Sequence, residues 1–256
     1  MNFRRKFHLK LVSSGALILA ITAQAALADM GDLVKIYEYT GKYLLSEVPS
    51  SAKSIVLDVP QKYRYGGSRG VSRAWGVNIL TYYPGFSSSN DPENAGAGLN
   101  CAGYCNGRIL VSIENRTRSI NNTRWLNSPN MADIVGRLAP ELDIHAKGNS
   151  TIAVGPEHGF DKGYEITIPP HGALKSEVRL YLFHISEDHV HYDVTAQCLR
   201  NQFADTCVLH FSLHCNPAVY VQVVGIDMRF IDNLLEIKDK ADRFVSSMIR
   251  EPACIG

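Results

Sequence analysis

No uninterrupted run of ~20 apolar residues, the length a membrane-spanning helix needs, occurs in this chain of 256 residues. The longest candidate, Leu11 to Ala20, is broken by Ser13, Ser14 and Gly15. An excess of one charge is missing too: 26 Lys and Arg stand against 25 Asp and Glu, a formal net charge of +1. Nucleic-acid binding rests on neutralising phosphates with Lys and Arg, so this balance argues against it. No His-Glu-x-x-His helix is present, nor a Ser-x-x-Lys motif with its partner motifs, so two common hydrolase signatures are lacking. Gly66-Gly67-Ser68-Arg69-Gly70 is glycine-rich, but a β-like segment follows it. It lacks the strand–loop–helix context that a phosphate loop requires. No cysteine precedes Cys101, which leaves no anchor point for a lipid near the N-terminus.

What the N-terminus does contain reads as an export signal. Arg4, Arg5, Lys6 and Lys10 form a positive region, Leu11 to Ala20 a short apolar core, and Ala26-Leu27-Ala28 the small-residue pattern of a signal peptidase site. The expected mature chain begins at Asp29, is periplasmic or secreted, and keeps no membrane span. Losing residues 1–28 removes four basic residues and no acidic ones, which turns the charge to −3. All six cysteines lie in the mature part, and an even count in an exported chain reads as disulfides. The preferred pairing is Cys101 with Cys105, Cys198 with Cys207, and Cys215 with Cys254. The spacing of Cys101-Ala-Gly-Tyr-Cys105 also suits a zinc ligand pair, though an oxidising compartment disfavours it.

Most of the chain reads as β-structure. Expected strands run Ser54 to Val59, Arg73 to Tyr83, Arg108 to Glu114, Gly163 to Ile168, Glu177 to Ile185 and Ala218 to Ile226; Leu33 to Leu45 fits a strand or a helix. Phe86 to Asn106 reads as a long polar loop, and Gly148 to Gly163 as a second loop carrying Glu157, His158 and Asp161. Ser128-Pro129 opens a helix that Pro140 stops. From Asp227 or Met228, Ile231, Leu234, Leu235, Ala241, Phe244, Val245, Met248 and Ile249 form an apolar stripe at helical spacing. The expected fold is α+β, a mainly antiparallel sheet with amphipathic helices packed on it and disulfide staples. A faint likeness between the halves suggests two lobes, residues 29–145 and a β-rich 146–256 with the terminal helix; a single α+β domain is the alternative reading.

The segment His189 to Cys215 alternates polar and apolar residues twice around a short polar loop, the pattern of a β-hairpin. Placing Cys198 opposite Cys207 sets Thr195 against His210, Asp193 against Ser212 and His191 against His214. One face is then apolar and the other carries His189, His191, His210 and His214. Cross-strand neighbours lie ~5 Å apart, so these histidines are candidate ligands for zinc or copper; the simpler reading is a solvated face and no cofactor. Candidate anchors for a protein partner are Tyr83, Phe86 and Tyr104 beside the long loop, and Arg116, Arg118 and Trp125 after the next strand, because Tyr, Trp and Arg dominate interface energetics.

Three features together resemble the periplasmic immunity proteins that protect bacteria from phospholipase effectors of type VI secretion systems. These are the exported start, the stretch Val56-Leu57-Asp58-Val59-Pro60-x-x-Tyr63 with Gly66-Gly67 and then Leu80-Thr81-Tyr82-Tyr83-Pro84-Gly85-Phe86, and the amphipathic helix ending near Val245-Ser246-Ser247-Met248-Ile249. The resemblance covers the beginning and end of the mature chain and not its middle, and the last helix has no tryptophan where the pattern expects one. It implies a non-enzymatic protein that binds a lipase-type secreted effector and blocks its active-site entrance. A metal-binding protein or metal-dependent enzyme built on the histidine face, and a structural envelope-interaction protein, are the other two readings.

Overall fold

A computed structural model describes residues 33–37, 53–63, 73, 74, 76–88, 91, 94, 107–115, 150–170, 175–185, 192–201 and 205–251. The chain is α+β and mostly antiparallel. A nine-stranded sheet contains β4 (Gly76–Tyr82), β5 (Ser87–Ser88), β6 (Arg108–Asn115), β7 (Ser150–Val154), β8 (Lys162–Ile168), β9 (Glu177–Ile185), β10 (Tyr192–Arg200), β11 (Asp205–Ser212) and β12 (Val219–Asp227), in the order β5-β4-β6-β12-β11-β10-β9-β8-β7. A four-stranded sheet contains β1 (Leu33–Tyr37), β2 (Ser54–Asp58), β3 (Arg73–Ala74) and β13 (Ile249–Glu251), in the order β13-β2-β1-β3.

One core joins them. Alternation puts Ile79, Val111, Val223, Leu209, Ala196 and Leu182 in register across six neighbouring strands of the large sheet, and all six are buried. The helix α1 (Leu234–Ser246) follows a 3-10 segment, Met228–Asn233, that Asp227 caps by accepting the Arg229 N–H. Leu234, Ile237, Ala241 and Val245 recur every three or four residues, so one face of α1 is apolar and fully buried. Val34, Ile36, Ile55 and Leu57 of the small sheet belong to the same core cluster. Each such buried side chain contributes about 1.5–3 kcal/mol relative to exposure.

Several expectations are corrected. Leu33–Tyr37 is a strand, paired antiparallel with β2. The loop expected over 148–163 contains β7, which pairs with β8 from Ser150 to Val154. Helical spacing stops short of Met248 and Ile249: beyond Ser247 the chain extends, and Ile249 pairs with Leu57 of β2. Both keep the burial the apolar stripe implied. Apart from these corrections, both sheets take strands from either side of residue 145, since β6 pairs with β12 and β2 with β13. Long-range pairing of this kind leaves no local periodicity from which to read it. The helix expected after Ser128 lies outside the described residues.

From Val194 to Arg200 the hairpin forms in the expected register; its pairs begin at Val194↔Phe211 and do not include the expected Asp193 with Ser212, and His191 lies outside the described residues. Cys198 stands opposite Cys207 and Thr195 opposite His210, and Cys198–Cys207 is a disulfide. Cys215 is also disulfide-bonded; the expected partner Cys254, and the pair Cys101 and Cys105, lie outside the described residues. A β-bulge at Asp193 interrupts β10, so that Tyr192 pairs with Ile185 and Val194 with His184. An extra residue flips the alternation. Tyr192 therefore joins the face opposite Val194, where its ring lies 5.2 Å from that of Phe183.

Candidate functional site

The corner between β4 and β5 is built by local chemistry. Tyr83-Pro84 is cis and Phe86 adopts a positive φ of 52°, while the Tyr83 N–H donates to the Gly107 carbonyl at 2.7 Å. Gly107 itself has φ +78°, and a Cβ there would lie 2.5 Å from the Tyr83 carbonyl oxygen, so only glycine fits. The next residues are tied down by side chains. Ser88 N–H donates to Asp91 Oδ2 at 2.7 Å, Asn94 Nδ2 donates to the Ser88 carbonyl at 2.7 Å, and Thr81 Oγ1 to the Ser87 carbonyl at 2.7 Å. The start of the expected long polar loop is thus held by hydrogen bonds; the rest of it lies outside the described residues.

Where this corner meets α1, aromatic rings and cations form a ridge. The Tyr83 ring packs edge-on against Phe230 at 5.0 Å, Lys240 Nζ sits 5.3 Å from the Tyr83 centroid, and the Arg229 guanidinium lies 4.8 Å from that of Phe230. Tyr63 stands edge-on to Phe244 at 5.2 Å and carries Lys62 over its own ring at 5.0 Å. Tyr63, Tyr83, Phe230 and Phe244 are half-buried, at the border of core and solvent. Phe86 is not on that surface. It is 4% exposed, its ring 5.3 Å from Phe244, and its carbonyl accepts from the Tyr63 hydroxyl at 2.9 Å. Phe86, expected as a partner anchor, is thus a buried core support under the ridge.

The ridge is electrostatically balanced. Glu236 pairs with Lys240 at 2.7 Å across one helical turn, and that hydrogen bond holds the Lys240 pKa above its ordinary value and the Glu236 carboxyl below its own. Burial raises the Tyr83 pKa, the Glu236 charge adds to the rise, and Lys240 opposes it. Tyr83 thus stays a neutral donor. At the other end Lys62 binds Asp91 at 3.3 Å; the Ser88 N–H, then Lys62, keep the Asp91 carboxyl low.

The histidine face is divided. His210 and Thr195 share a row with Phe183 and Gln222, but Thr195, Phe183 and the nearby Tyr220 are buried, so the expected solvated wall is largely interior. His210 Nδ1 lies 2.8 Å from the Tyr220 hydroxyl, and burial lowers the His210 pKa to about 4. The neutral ring and the hydroxyl thus share a hydrogen bond. Burial pushes the Tyr220 hydroxyl far upward, and the Glu114 charge adds to that. His214 falls after β11 ends: it is exposed and its backbone N–H donates to Asp242 Oδ2 at 3.2 Å. The two described histidines therefore do not share a site. His189 and His191 lie outside the described residues, as do Tyr104, Arg116, Arg118 and Trp125. Among the described residues no three His, Cys, Asp or Glu side chains are grouped to hold a metal ion.

Glu157, His158 and Asp161 serve the fold. His158 Nδ1 lies 2.7 Å from Asp232 Oδ1 and Asp161 Oδ2 accepts from the Ile185 N–H at 2.7 Å, pinning this turn to the 3-10 segment and to β9. Of the expected surface anchors, Tyr83 alone stands on the ridge among the described residues. Beside it stand Phe230 and Lys240, which the sequence pattern did not single out, and Tyr63, which entered only within the resemblance. Phe230 carried a signal, being a large aromatic just before the apolar stripe and outside its spacing.

No protein-family model matches this chain, and no curated protein matches it. Among solved structures, an immunity protein of the Stenotrophomonas maltophilia type IV secretion system superposes with a TM-score of 0.48 at 12% identity, over 77% of this chain and 90% of that one. A likeness at this level establishes neither a family nor a function for the chain. Among the described residues no helix is long and apolar enough to cross a membrane.

Proposed function

We propose that this protein is an exported, non-enzymatic binder that neutralises a secreted antibacterial effector, and more narrowly a lipase-type effector whose active-site entrance it covers. The observation that carries the reading is the ridge of Tyr83, Phe230, Tyr63 and Phe244 with Lys240, Arg229 and Lys62 stacked on it. Half-buried aromatics held by neighbours lose little rotamer freedom when a partner covers them, which is the physical character of interface hot spots. The Cys198–Cys207 disulfide suits an oxidising compartment, in keeping with the export signal, and the lipase-type target comes from the sequence resemblance.

The test is protection. A host exporting a lipase-type effector from the same organism survives when residues 29–256 are co-exported, and the purified pair forms a one-to-one complex by titration calorimetry. Tyr83→Ala together with Phe230→Ala weakens that complex by at least ~100-fold, about 2.7 kcal/mol, and abolishes protection. Because both rings also pack on the core rim, each variant is checked by its melting curve. No complex with any exported effector overturns the reading; protection against a non-lipase effector keeps immunity and overturns the lipase target.

A further inference from the structure

The large sheet ends differently at its two edges. At β5 the edge is two residues long and its main chain is occupied, with the Ser88 N–H bound to Asp91 and the Ser88 carbonyl to Asn94. Among the described residues the other edge is β7, five residues long and paired there with β8 alone. Ile152 in its middle is 56% exposed and is the exposed large hydrophobic residue among those described. The strand reads Ser-Thr-Ile-Ala-Val, with no charge and no proline. Natural edges normally carry such a guard because open N–H and C=O groups recruit another strand.

We propose that β7 is a self-pairing edge, on which a second copy of this chain adds its own β7 antiparallel about a two-fold axis at Ile152. Two features favour a second copy as occupant. A two-fold contact must be complementary to itself, and a strand without charge meets no like charge when it faces its own image. The two-fold sets Ile152 directly opposite Ile152 of the second copy on one face, ~5 Å apart, so each covers the residue that the single chain leaves exposed. Five-residue pairing buries far less than the ~1,200 Å² of standard stable interfaces, so the association is weak and set by concentration.

The experiment is sedimentation velocity on the oxidised protein, residues 29–256, from about 5 to about 500 µM, beside Ile152→Lys and hydrogen exchange of β7. The expected result is a shift from one chain mass toward two, with 150–154 amides protected only at the high end. Ile152→Lys weakens the dimer by at least ~10-fold with an unchanged melting curve. A monomer throughout the range, a dimer that Ile152→Lys leaves intact, or a dimer with unprotected β7 amides overturns the proposal. Protection of β7 in a monomer upon addition of an effector assigns the edge to a foreign strand and overturns it equally.

Discussion

His210 shows what one half-buried titratable side chain does to the molecule. Folded, its ring accepts protons only near pH 4; unfolded, near 6.5. Between those values the unfolded chain binds a proton that the folded chain refuses, so stability is complete above pH 6.5 and falls as pH drops toward 4. The expected loss is about 1–3 kcal/mol. Urea unfolding at pH 7, 5.5 and 4.5 checks it by difference: His210→Gln, which keeps an acceptor for the Tyr220 hydroxyl, flattens the dependence relative to the unmodified chain. An identical slope in both would assign the loss to other groups. Alternation placed His210 on the correct face, but not its burial, because that depends on what packs over the sheet.

Among the elements, the hairpin β10–β11 was the most legible from sequence. Strict period-two alternation and a cysteine at matching positions fix a register, since a slip of one residue would exchange the faces. The disulfide closes a short loop of sequence separation 9, for which chain entropy predicts about 2–3 kcal/mol. Cys198→Ala with Cys207→Ala should lower stability by that amount with the register retained; unchanged thermal unfolding would refute it. The bulge at Asp193 was not legible, because one added residue leaves composition and periodicity nearly untouched. Helix α1 was legible through Leu234, Ala241 and Val245, whereas Met248 and Ile249 kept the stripe's apolar character after the helix had ended. Neighbouring apolar residues fit a helix or a buried strand equally well, and tertiary pairing with β2 decides between them. The strand β7 was hidden behind Gly148, Asn149 and Gly155, which read as loop.

At the scale of the whole molecule, the two halves join strand to strand, at β6–β12 in the large sheet and at β2–β13 in the small one, and this was the least visible property in the sequence. The β13–β2 contact is the clearest case: Ile249 faces Leu57, the Asp58 N–H donates to the Met248 carbonyl at 2.6 Å, and Arg250 Nε bonds Asp58 at 2.9 Å across 192 positions. Met248→Ala with Ile249→Ala should cost about 3–6 kcal/mol, and hydrogen exchange should accelerate in β1 and β2, far away in sequence. Acceleration confined to residues near 248 would show the small sheet to be independent. Contacts of such sequence separation form slowly, because a long loop must close before they give anything back. The small sheet is incomplete until residue 251 has left the ribosome, so an emerging chain cannot finish either end of its fold early. On the export proposed above, that delay would act as a kinetic safeguard: the strands stay threadable until the last of them has crossed the membrane.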